Sequence, residues 1–140
     1  NDLHYWLQRA KYLYRNNTSK EALDTAYSYA TKVHKDGWPE ISHKAALTLS
    51  LICFDLSDSV DTTNSYMLEG VEKAYEAVFS GNYRINVDDE FGKGMENSGR
   101  RKIVRNCENI LAMPTVDTDY KKKATELISY FEKEKQSSYV

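Results

Sequence analysis

The densest grouping of side chains able to hold a phosphate lies between residues 93 and 105. Lys93, Arg100, Arg101, Lys102 and Arg105 gather there around Gly94 and Gly99. Gly94-Met95-Glu96-Asn97-Ser98-Gly99 has the spacing of a P-loop, in which backbone amides and a helix N-terminus cradle phosphates. The next two residues do not suit that chemistry. A P-loop needs Lys to reach the outer phosphates and Ser or Thr to hold magnesium, whereas Arg100 and Arg101 stand here. Nucleotide hydrolysis is therefore set aside. Without the nucleotide, the same residues form a candidate contact for RNA or DNA phosphates, with Tyr83 and Phe91 placed to stack on bases. The plainer reading, which weighs more, is a solvated loop whose arginines pair with the acidic run Asp88-Asp89-Glu90.

Other constellations are sparser. Glu69, Glu72 and Glu76 fall on one side of a predicted helix, a spacing that supports magnesium binding in all-α nucleotide pyrophosphatases when a second helix adds acids. No such second set is evident, and Lys73 stands between them, so a solvated helix face is expected. His4, His34 and His43 are too scattered for a metal cluster, although His34 and His43 flank one turn. Cys53 and Cys107 sit among apolar residues with no C-x-x-C spacing, and read as small buried hydrophobes. No Ser, His and Asp arrangement emerges for nucleophilic catalysis, and no cofactor pattern is present. Asn16-Asn17-Thr18-Ser19 holds overlapping glycosylation sequons, but Asn and Thr are also what a helix boundary needs.

These residues must be positioned by helices. The chain has 140 residues, 41% of them hydrophobic and 29% charged, which suits one folded domain rather than a disordered segment. A net charge of −2 supplies no general field for nucleic acid or anionic membrane, so any such binding must be local. No apolar run reaches the length of a membrane span. The nearest, Ala45 to Leu56, is broken by Thr48, Ser50 and Asp55 and reads as a buried helix. No signal peptide is visible, which points to the cytoplasm.

Apolar periodicity predicts helices over 2–15, 18–35, 39–56, 64–80, 98–112 and 118–135, within a single all-α domain spanning 1–140. Thr18-Ser19-Lys20-Glu21 reads as a capping box. Gly37 is expected in a left-handed cap, Pro39 in the first turn of the third helix, and Gly81 and Pro114 as terminators. Apolar residues on several sides of 39–56 make it the most central helix. Residues 82–97 are expected as a long loop, in which Tyr83 to Val87 alternate like one short strand.

The first two helices resemble one tetratricopeptide-type hairpin. Trp6, Ala10, Leu13, Ala22 and Ala26, within residues 2–35, fall near that repeat's large and small positions. The resemblance implies a helical-hairpin stack that binds a protein segment in a groove. The expectation is an all-α fold of stacked antiparallel hairpins or an irregular bundle. Its expected role is non-catalytic recognition of a macromolecule, as a protein-binding adaptor or scaffold. The eleven tyrosines, where exposed, suit a protein interface. A nucleic-acid module using residues 93–105 is the alternative, and a metal-dependent nucleotide enzyme is the third reading. The wide apolar surface of 39–56 leaves a homodimer open.

Overall fold

From Ala45 to Phe54 the sequence carries no charged residue, and in the computed structural model every one of these positions is buried. The structure describes residues 2–16, 19–60, 63–81, 83, 85–91 and 99–137, and the side chains of 60, 88–89 and 134–137 lie outside that description. The elements are α1 (Asp2–Asn16), α2 (Lys20–Asp36), α3 (Pro39–Val60), α4 (Ser65–Phe79), the one-turn α5 (Val87–Phe91), α6 (Gly99–Leu111) and α7 (Thr118–Ser137). The expected all-α architecture is thus present, with no strand among the described residues. None of these helices is long and apolar enough to cross a membrane.

Helix α3 is the axis of the packing. One of its faces presents Leu49, Ile52, Cys53 and Leu56 to Ala10 of α1 and to Leu23, Ala26 and Ala30 of α2. Near its start, Ile41 and Ala45 meet Leu7 and Val33. Early residues of α1 therefore lie beside late residues of α2, which is the signature of an antiparallel hairpin. Alanines at the contact let the helix backbones approach closely. The opposite face of α3, with Leu47, Leu51 and Phe54, meets Val71, Ala74 and Val78 of α4, Ile103 and Cys107 of α6, and Leu127 of α7. The hydroxyls that enter this core are satisfied: Ser50 Oγ donates to the Gly70 carbonyl at 2.6 Å and Thr48 Oγ1 to the Lys44 carbonyl at 3.3 Å.

The boundaries show the local chemistry. Ser19 caps α2, its Oγ accepting from the Ala22 amide at 3.2 Å, whereas Thr18 of the expected capping box lies outside the described residues. Pro39 opens α3, and Gly81, with φ of 64°, follows the end of α4 in the left-handed conformation. Gly37 corrects the expectation made for it. Its φ of −80° and ψ of 157° are extended, and a Cβ there would come within 2.6 Å of both Ile41 Cγ2 and the Val33 carbonyl. Close approach, not a left-handed turn, calls for glycine at that corner.

The expected strand from Tyr83 to Val87 is also corrected. Ile85 and Val87 are buried and Asn86 is exposed, but Tyr83 is exposed as well, and no strand is present among the described residues. The Ile85 amide donates to the Ala77 carbonyl at 3.0 Å, and Val87 begins α5, which interrupts the long loop expected over 82–97.

Gly70 marks a tight contact between α3 and α4, because a Cβ there would stand 2.3 Å from the Phe54 ring. Alanine gains about 1 kcal/mol of helix propensity over glycine, but overpacking a core costs about 1–3 kcal/mol. Gly70→Ala is therefore expected to lower stability in urea denaturation. The loss should shrink in a Phe54→Leu background, where the ring is gone.

Candidate functional site

Where α1, α3, α5 and α6 meet, a polar cleft of about 450 Å³ is lined by Tyr14, Arg15, Asp55, Asp58, Phe91, Gly99, Lys102 and Arg105. Lys102 is its centre. Helix α6 buries Gly99, Ile103, Asn106, Cys107 and Ile110, and Lys102 sits on the flank of that face, pointing inward. Its Nζ donates to the Tyr14 hydroxyl and to Asp55 Oδ1, each at 2.7 Å, and stands 4.8 Å from the Tyr14 ring centroid. The Lys102 side chain is 11% exposed. Burial works against its charge, yet the oxygens of Tyr14 and Asp55 outweigh that and hold Lys102 above its ordinary pKa. Burial raises the Tyr14 hydroxyl as well, against the opposing pull of Lys102.

One wall of the cleft is clamped. Lys11 Nζ pairs with Glu90 Oε1 at 2.9 Å, and Arg15 Nη2 donates to the Glu90 carbonyl at 2.6 Å. The Phe91 ring lies under both cations, 5.5 Å from Lys11 Nζ and 5.2 Å from the Arg15 guanidinium carbon, with the Tyr14 ring edge-on at 5.9 Å. Short α5 is thereby held against α1.

The residues expected to form a basic contact are only partly brought together. Phe91, Lys102 and Arg105 share the cleft. Lys93 lies outside the described residues, as do Gly94 to Ser98 of the P-loop-like spacing. Arg100 turns toward α7, donating from Nη1 to the Phe131 carbonyl at 3.2 Å and covering the Phe131 ring at 5.2 Å. Arg101 and Arg105 are exposed. Tyr83 packs elsewhere, against His43, with ring centroids 6.3 Å apart.

The carboxylates of α4 serve a different purpose from metal binding. Glu69 accepts from the Tyr27 hydroxyl at 2.8 Å, and Glu76 Oε2 accepts from His34 Nε2 at 2.7 Å. Glu72 lies 3.9 Å from Lys123 of α7. His43 uses Nδ1 on the Pro39 carbonyl at 2.8 Å, and His4 packs its ring against Trp38 at 5.3 Å. Among the described residues no group of three His, Cys, Asp or Glu side chains could hold a metal ion. Both thiols are buried and unpaired. Burial pushes the Cys107 thiol up to about 12 and that of Cys53 up as well, so neither is a ready nucleophile at neutral pH.

The two most exposed aromatic side chains among the described residues, Tyr5 and Tyr12, lie on another face, and Trp38 stands at the corner between α2 and α3. Tyr5 is 57% exposed, Tyr12 56% and Trp38 43%. Arg9 stands 5.6 Å over the Tyr12 ring, and Tyr5 meets Trp6 edge-on at 5.1 Å. Tyr5, Arg9 and Tyr12 follow at intervals of four and three residues, a second stripe along α1 opposite its buried one. That spacing was visible in the sequence, and attention to the buried stripe alone passed over it. Compared with protein-family models, curated proteins and solved structures, the chain matches none.

Two predictions test these polar contacts. Removing one partner of a buried ion pair costs about 3–5 kcal/mol, and because Asp55 keeps some access to water Lys102→Met is expected to cost about 2 kcal/mol in chemical denaturation. Adding Asp55→Leu should restore most of the loss. The second concerns Glu76, whose pKa the His34 hydrogen bond holds below the usual carboxylate value. Its stabilisation is complete above that usual value and fades as pH falls through the lowered one. Carbon-detected NMR titration should find the Glu76 carboxyl titrating low, and moving upward in His34→Gln. Glu76→Gln should flatten the acid limb of the stability profile.

Proposed function

We propose that this chain is a non-catalytic recognition module, a protein-binding adaptor or scaffold, that meets its partner with the outer face of α1 extended by Trp38. The observation that carries the reading is the Tyr5, Arg9 and Tyr12 stripe, all exposed, with exposed Trp38 packed on His4 of the same helix. Tyr, Trp and Arg are the residues that dominate binding energy at protein interfaces, because they give large amphipathic contact at modest entropic cost. The resemblance of the α1–α2 hairpin to a tetratricopeptide-type repeat points the same way.

The basic set around α6 lends less support to nucleic acid, since Lys102 is spent on Asp55 and Tyr14 and Arg100 on Phe131. The unpaired buried thiols suit the reducing cytoplasm, which belongs to the same proposal.

A photo-crosslinking amino acid placed at Gln8, exposed on α1, gives the test. Proteins captured by the parent chain should be lost from Tyr5→Ala/Tyr12→Ala, with each hot-spot residue worth about 2 kcal/mol or about thirtyfold in affinity. They should be retained by Arg101→Ala/Arg105→Ala. Fluorescence anisotropy with single- and double-stranded RNA and DNA should show no salt-sensitive binding. Salt-sensitive binding lost in the arginine variant, with no protein captured on α1, would overturn the reading in favour of nucleic acid.

A further inference from the structure

Between α4 and α7 an open groove of about 440 Å³ is lined by Tyr75 and Phe79 from one helix and by Glu126, Tyr130 and Lys133 from the other. The three rings form a continuous wall: Tyr75 and Phe79 centroids are 4.8 Å apart, and those of Phe79 and Tyr130 5.4 Å. Glu126 lies one helical turn before Tyr130. Its Oε2 is buried and has no hydrogen-bond partner among the described residues. Across the groove the Glu126 carboxylate holds the Tyr75 hydroxyl above its ordinary pKa, chiefly through a hydrogen bond.

Two features of this groove ask for the same occupant. Aromatic faces carry negative electrostatic potential and attract cations. A desolvated carboxylate oxygen without a donor costs free energy that an N–H would recover. The terminal torsion of a Glu side chain is soft, so the Glu126 carboxylate is free to turn toward a donor brought to the groove it lines. The protein already uses one of these rings this way, for Lys123 Nζ stands 5.6 Å from the Tyr75 centroid while reaching Glu72. An open groove covers only part of a ligand, whereas pockets for free small molecules enclose most of theirs. A side chain protruding from a partner surface suits it better.

We propose that the groove binds the ammonium of a lysine side chain presented by a partner protein, the cation against Tyr75, Phe79 and Tyr130 and an N–H on Glu126. The assignment rests on the protein-recognition reading and adds a second, chemically specific contact to it. Because the occupant must keep both a positive charge and an N–H, lysine and its mono- and dimethylated forms fit, whereas trimethyllysine lacks the N–H and acetyllysine lacks the charge.

The test is a titration of the full chain, followed by amide and aromatic NMR, with an acetylated and amidated Gly-Lys-Gly tripeptide and its methyl, dimethyl, trimethyl and acetyl-lysine forms. Saturable shifts centred on Tyr75, Phe79, Glu126 and Tyr130 are expected with the first three. The affinity should fall about tenfold in Glu126→Gln, which keeps the side-chain shape, and in Tyr130→Leu, whose fold is checked by circular dichroism. Equal binding of acetyllysine, or no response from any lysine form, overturns the proposal. So does a response to choline without one to the lysine peptides, which would make the groove a site for free quaternary ammonium compounds. None of these outcomes touches capture on α1, so a failed groove and a failed recognition module remain distinguishable.

Discussion

A helix that is buried all round and uncharged for three turns cannot stand in water, and this molecule is organised by the need to cover α3. From Ala45 to Phe54 successive side chains point in every direction around the axis, and all are buried. One layer can cover only one side of such a helix, so two are required. The α1–α2 hairpin takes one side, and α4 with α6 and α7 takes the other. The short connections allow nothing but antiparallel neighbours on either flank of α3, which leaves α2 and α4 running parallel. Even the polar atoms of the segment obey the constraint: Ser50 reaches across to Gly70, and it can do so because the missing Cβ lets α4 lie against Phe54.

Burial alone has no direction, so it does not set how far each helix slides or turns. Polar contacts do. Tyr27 with Glu69 and His34 with Glu76 are two rungs whose residues are seven apart on both helices, the arrangement that parallel α2 and α4 need to stay in register. At the other end of α3, Lys102 ties α6 to Asp55 and to Tyr14 of α1 in one contact. Such partly buried pairs offset their own desolvation and add little net stability, but a slipped register would leave a charge without its partner. They select one packing among several that would bury similar apolar area.

This division explains what could be read from the chain in advance. Helices announced themselves through periodicity, and α1, α2 and α4 nearly cover the spans expected of them. The centrality of α3 followed from its lack of any polar stripe. Long-range contacts left no such trace. Lys102 counted as one more cation in a basic run, whereas its register with Ile103 and Asn106 places it on the inward side of α6. The carboxylates of α4 looked like a solvated face because their partners, Tyr27 and His34, are 42 residues away. Gly37 was misread for a related reason: its role depends on Ile41 of the next helix, not on its own backbone angle.

Once charges have been committed inside, the surface has a particular character. Arg9 lies over Tyr12 and Lys123 over Tyr75, so each of these two rings at the periphery is covered by a cation from the same chain. Each such contact is worth about 0.5–1 kcal/mol at an exposed site, enough to keep a ring from self-association and little enough for a partner to displace. Long cationic stems also shield apolar area while their heads stay hydrated. A protein with a net charge of only −2 has weak mutual repulsion to keep copies apart, which gives this shielding a purpose. A partner able to supply its own cation, or its own carboxylate for the displaced arginine, would exchange these contacts at small cost. Partners without either would find Tyr12 and Tyr75 already occupied.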